Sequence, residues 1–176
     1  AKEDYCLRHE IPFPHFNRLA GRPIKPSPLH DILKSKGAVH EEVFGFERPR
    51  WFARNGIAQQ DHYSFRRNQV NDIVEAEVKA VRQAAGIIDV TAFTKIQVSG
   101  PGASAFLDRL VANKLPAKIG GITLGHMLNR RGRIELETTI FRNKENSYYL
   151  VCAAFFEQRL MDHLTQNKQD EDADIT

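Results

Sequence analysis

Residues 124–152, LGHMLNRRGRIELETTIFRNKENSYYLVC, constrain the fold more than any other part of this chain. Two β-branched, alternating runs flank the polar turn Asn129-Arg130-Arg131-Gly132, where Gly132 supplies the positive φ that a tight turn needs. The spacing predicts strands over 122–129 and 133–141, then a third over 148–153 after a turn at 143–146. Inside the second run Glu137 stands as a lone acid among apolar and β-branched residues. A carboxylate buried there must be hydrogen-bonded, charge-paired or protonated. Such groups handle protons or bind amines and amides. The bland alternative is that a Glu on an alternating strand faces water.

Elsewhere the periodicity changes. Val74, Val78, Val81 and Ala85 recur at helical spacing, with Asn71 as cap, Glu75 and Lys79 four apart, and Gly86 as stop. A strand then ends at Gly100, and Pro101 opens a helix carrying Ala103, Phe106, Leu107, Leu110 and Val111 on one face. A last helix aligns Phe156, Leu160 and Leu164, and the tail QNKQDEDADIT reads as a solvated connection. Helix, strand, helix, three antiparallel strands and helix make the expected fold class α+β, a mainly antiparallel sheet covered by helices. Residues 1–70 precede it with Pro12, Pro14, Pro23, Pro26, Pro28 and Pro49 and many aromatics. Proline fixes its own φ and biases its neighbour, so this segment is expected to be irregular apart from a short helix at 28–35, capped by Ser27. Phe44, Phe46, Trp51 and Phe52 are too apolar for water and imply a partner surface.

Composition narrows the function. The net charge of +3 comes from interspersed Lys and Arg, with no basic stripe for nucleic acid. No apolar run approaches the roughly 20 residues that span a bilayer. Cys6 and Cys152 make no disulfide framework, so an intracellular, cytoplasmic protein is expected. The start AKEDYCLRHE reads as the middle of something longer. No G-x-G-x-x-G follows a strand, and Gly100-Pro101-Gly102 lacks the lysine of a phosphate loop. The seven histidines and two cysteines show no zinc spacing, so no metal is expected. Cys152 lies in an apolar strand where a thiol is inert, and Ser99 and Ser104 have no base beside them in sequence. Trp51, Phe52, Tyr148 and Tyr149 read as core, with value for stacking on a heterocycle only if they share a cavity with Glu137.

Two segments carry a resemblance to a known family. GRPIKPSPLHDILKSKGAVHEEVFGFERPRWFA resembles the run that precedes the folate domain of dimethylglycine and sarcosine dehydrogenases, with its proline before a short helix, its GAV and its ERP.WF. From about Val74, EAEVKAVRQAAGIIDVTAFTKIQVSGPGASAFLDRLVANKL and GHMLNRRGRIELETTIFR resemble the first part of the folate-binding aminomethyltransferase domain shared with the glycine-cleavage T-protein. The resemblance implies a fragment of a flavin-dependent dehydrogenase of N-methylated glycine. In such enzymes an FAD domain oxidises the amine to an iminium, and a folate domain captures the one-carbon unit as methylene-tetrahydrofolate.

It further implies that residues 1–70 are the tail of the flavoprotein central domain with its linker, and 71–176 the incomplete first part of the folate domain. Glu137 becomes the catalytic acid, at a position where the family often has Asp. Leu124, Thr139, Phe141 and Cys152 become folate contacts, Leu124 and Cys152 standing where the T-protein has aromatic or amide side chains. A carboxylate in a dry pocket would stabilise the cation and take the proton of the attacking amine. The implied partners are the small-molecule substrate, tetrahydrofolate and the rest of the same chain, with FAD in the preceding domain and neither nucleic acid nor membrane. The implied location is cytoplasmic, or the mitochondrial matrix in a eukaryote, and the fragment alone is expected to be inactive. Two alternatives stay open: a stand-alone aminomethyltransferase, against which residues 22–53 argue, and a non-catalytic binding module, which Glu137 and Cys152 favour.

Overall fold

Prolines do not keep the start of the chain irregular. In this computed structural model, which describes residues 2–54 and 56–176, packing groups residues 1–92 into one unit and 93–176 into another. The first unit holds helices α1 (Lys2–Leu7) and α2 (His30–Ser35), strands β1 (Ala38–Val43) and β2 (Phe46–Phe52), and helix α3 (Gln69–Gln83). β1 and β2 pair as an antiparallel hairpin, which corrects the expectation of irregular chain here. Phe44 and Gly45 both take positive φ, 52° and 86°, and that turn matches the twist of the flanking strands. Pro49 is tolerated because a strand of a two-stranded ribbon has an outer edge that needs no donor, and the register shifts beside it at Val39/His40.

Trp51 is fully buried with Val39, Val70 and Ile73, and its indole N–H donates to Asp61 Oδ1 at 3.0 Å. It is therefore core of its own unit, not a surface for a partner. The Ser27 hydroxyl oxygen accepts from the Leu29 N–H, and α2 begins at His30. Helix α3 is capped by Asn68, whose side chain accepts from Val70 N–H at 3.1 Å, rather than by Asn71. Glu75 and Lys79 form the expected pair at 2.6 Å. The Val74, Val78 and Val81 stripe is exposed, and Val70 and Ile73 are the residues α3 buries.

The second unit is the helix-covered antiparallel sheet that the pattern predicts. Its elements are β3 (Thr94–Ser99), α4 (Ala103–Leu110), β4 (Ile122–Leu128), β5 (Ile134–Lys144), β6 (Ser147–Cys152), α5 (Glu157–Asn167) and β7 (Asp174–Ile175). The sheet order is β4-β5-β6-β3-β7. Gly132 closes the β4–β5 turn with φ 73°. One face of the sheet packs Ile96, Val98, Met127, Leu136, Ile140 and Leu150 on Phe106 and Leu107 of α4 and on Leu160 and Leu164 of α5. Each such side chain contributes roughly 1.5–3 kcal/mol on leaving water.

Two boundaries differ from the sequence reading. β3 starts only at Thr94, and Ile87 and Ile88 lie exposed before it. The acidic tail is not a free connection: Gln97 and Thr176 exchange backbone hydrogen bonds of 2.7 and 2.9 Å, and Ala173 is buried. Among the described residues no helix is long and apolar enough to cross a membrane.

Candidate functional site

Alternation decides which side chains of the sheet meet. Ile134, Leu136, Thr138 and Ile140 occupy one parity of β5, and Glu135, Glu137, Thr139 and Phe141 the other. Leu136, Thr138 and Ile140 face the helices and are buried. Glu137, Thr139 and Phe141 face away from them, whereas Glu135, the extra residue at the bulge opposite Met127/Leu128, reaches α5. Register then brings neighbours alongside: His126 opposite Glu137, Leu124 opposite Thr139, and Ile122 opposite Phe141. Thr139 continues to Val151, and Phe141 to Tyr149, on β6. Four of the five expected site residues, Leu124, Glu137, Thr139 and Phe141, thus share one face. Cys152 does not. It pairs with Thr94 on the helix-covered side and is buried, and burial pushes its thiol above the usual range.

Glu137 itself corrects an expectation. Its side chain is 57% exposed, not sunk in a dry cavity. The reason lies in the strand: Glu137 alternates with the buried Leu136, Thr138 and Ile140 and so faces away from the helices, with Thr139 on the same side, while Glu135 at the bulge does not. The two acids are treated differently. Glu135 is paired with Arg159 of α5, whereas no Lys or Arg pairs with Glu137 among the described residues. Its partner is His126, with Nε2 3.0 Å from Oε2. An exposed pair of this kind is worth about 0–1 kcal/mol, too little for the fold to depend on it.

The proton on His126 follows from its other contacts. The backbone N–H of His126 donates to Asn113 Oδ1 at 2.9 Å. Since a backbone N–H can only donate, the Asn113 amide is fixed with its oxygen toward the strand. His126 Nδ1 lies 3.1 Å from that same oxygen, so Nδ1 must carry hydrogen. The imidazole and the carboxylate thus meet at Nε2 and Oε2, beside the partly exposed apolar side chains of Leu124 and Phe141. Sequence reading missed His126 and Asn113 as site residues. Counting back from the turn at 129–132 would not have placed His126 across from Glu137, because a bulge at Met127/Leu128 shifts the register.

A model of the GCVT N-terminal domain matches residues 29–176. The mitochondrial dimethylglycine dehydrogenase of Mus musculus is 36% identical over 155 residues, which cover 88% of this chain and 18% of that protein. The mitochondrial pyruvate dehydrogenase phosphatase regulatory subunit of Mus musculus is 33% identical over 150 residues, covering 82% and 17%. The chain thus spans about a fifth of the length of these curated relatives. The glycine cleavage system aminomethyltransferase T of Bartonella henselae superposes with a TM-score of 0.70 at 22% identity, over 86% of this chain and 37% of that one. That likeness bears out the α+β expectation for the fold.

Proposed function

This chain belongs to the GCVT N-terminal domain family, and from that premise we propose that it is the folate-side portion of a flavin-dependent dehydrogenase of N-methylated glycine. In this reading residues 1–70 are the tail of the flavoprotein central domain and its linker, and 71–176 begin the folate domain. The supporting observation is the His126–Glu137 pair on a sheet face shared with Leu124, Thr139 and Phe141.

The donor set suits a reduced pterin. A carboxylate accepts from amide and amino N–H groups, Phe141 and Leu124 offer apolar contact to a planar ring, and the Thr139 hydroxyl supplies a further polar contact. Cys152, on the buried side, is no part of this set. Tetrahydrofolate, when bound, supplies the nucleophilic amine that accepts the one-carbon unit. Glu137 then receives the proton that amine sheds as it forms its new bond, and its charge faces the cationic carbon centre. His126 returns or withdraws a proton at Oε2, and Asn113 holds the imidazole ring in place. Leu124 and Phe141 orient the ring, so that capture becomes effectively intramolecular. FAD belongs to the preceding domain, and the location is the cytoplasm or the mitochondrial matrix.

A second reading has one specific support. A relative of comparable identity is named a regulatory subunit, which favours a non-catalytic module. Titration of the full-length protein with tetrahydrofolate, with and without dimethylglycine or sarcosine, separates the two. The proposal expects saturable folate binding and methylene-tetrahydrofolate formed in step with amine oxidation. Absence of both favours the regulatory module.

A further inference from the structure

Helix α2 lies on the hairpin of the first unit with little to hold it. It has six residues, none of them buried, and a helix so short is marginal by itself. The Gln59 amide ties it down by donating to the Lys34 and Ala38 carbonyls, at 2.7 and 2.9 Å. His30, the first residue of α2, stacks on His40 of β1 with ring centroids 4.2 Å apart. His30 Nδ1 and His40 Nε2 are buried without a hydrogen-bond partner among the described residues. A bare nitrogen tolerates that better than an N–H does, so the neutral rings carry hydrogen on their opposite nitrogens, Nε2 of His30 and Nδ1 of His40. An imidazolium has no such choice, because both of its nitrogens donate.

The charged groups around the stack oppose a further positive charge. Lys34 and Arg22 act on His40 as cations. Glu47 on β2 attracts a charged ring, but both its oxygens already accept from Arg22, at 2.9 and 2.5 Å. Asp61 is bound to Arg50 and to the Trp51 indole, and Glu42 accepts from the Gly45 N–H. We propose that the His30–His40 stack is an acid-released latch, which holds α2 on β1 while both rings are neutral and frees it once either takes up a proton. A ring charged in place leaves a buried donor without an acceptor, and moving α2 outward opens both rings to water. Burial, and then His30, hold His40 below the usual 6.5. Its contribution to the docked state is therefore present above 6.5 and lost as pH falls through the lower folded value. The inference concerns the first unit alone and does not rest on the folate reading.

Hydrogen exchange in the full-length protein tests the latch, read as protection factors over residues 29–37 and 46–52. The range is about pH 7.5 to about pH 5.5, where histidines titrate. Protection over 29–37 should fall roughly tenfold, the scale of leaving one buried donor unpaired, while that over 46–52 holds. Exchange at the ring C2 positions in the same digests gives the titration of each histidine, and His30 and His40 should charge in step with the loss. His30→Phe together with His40→Phe keeps two stacked rings and should remove the response, whereas His163→Gln should leave it intact. If the double variant fails to fold, which protection over 46–52 reveals, the ring titrations of the wild type decide. Four results would overturn the proposal: protection over 29–37 that does not change with pH, a parallel loss over 46–52, rings that charge without that loss, or a double variant that still responds.

Discussion

Arg22→Met should be among the most damaging single substitutions in the first unit. Arg22 and Glu47 have side chains only 14% and 2% exposed, and Arg22 also donates to the His40 carbonyl at 3.0 Å. Removing the guanidinium strands a carboxylate out of water, which costs about 3–5 kcal/mol for buried pairs. The stranded acid has one escape, to take up a proton. From the usual value of 4.5, neutralising it at pH 7 costs about 1.4 kcal/mol per pH unit, or about 3 kcal/mol, so the loss should lie near that figure. Arg22→Met with Glu47→Gln should recover more than half of it. Glu47 is held below 4.5, chiefly by its hydrogen bonds from Arg22. Its stabilisation is therefore present above 4.5 and lost as pH falls through the lower folded value. The gap between wild type and Arg22→Met should accordingly narrow in acid. Urea unfolding across pH measures this. A loss below about 1 kcal/mol, or a gap that does not change with pH, would mean that Glu47 does not depend on Arg22 for its charge.

Other outcomes follow from the same geometry. Burial holds His40 and His163 below 6.5, so the unfolded chain binds more protons in mild acid. Stability should fall as pH drops below 6.5, and His163→Gln should flatten that slope in urea titrations. Gly100→Ala sets a Cβ at φ 117° and 2.6 Å from the Asp172 carbonyl oxygen. It should cost about 2 kcal/mol or more and strip hydrogen-exchange protection from the Gln97 amide, which donates to Thr176. Thiol labelling of the native protein should modify Cys6, which is exposed, and spare the buried Cys152 until unfolding.

Much of the second unit was legible because its signals are local. Alternation over Ile134–Phe141, Gly132 at the turn and the Phe106/Leu107 face each depend on a few neighbouring residues. The hairpin of β1 and β2 was not, because Pro49 argues against a strand unless the strand has a free edge, and edges are a tertiary property. The tail was misread for a similar reason: Asp172–Thr176 is polar, yet its backbone completes the sheet beside β3. At the site, the shared face of Leu124, Thr139 and Phe141 with Glu137 follows from register. Glu137's exposure was also readable, since it alternates with Leu136, Thr138 and Ile140, whose parity is the one the core takes. Cys152 was assigned across a hairpin gap, where one residue of slip exchanges the faces. The bulge between Arg142 and Lys144 lies in that gap.

On the proposed reading Glu137, backed by His126, handles the proton of one-carbon capture. Glu137→Gln in the full-length protein, with flavin reduction and methylene-tetrahydrofolate yield followed in the same turnover, is the decisive measurement. Flavin reduction should be unchanged and capture roughly 10²-fold slower, the scale for loss of a general base. Capture at the wild-type rate would contradict it.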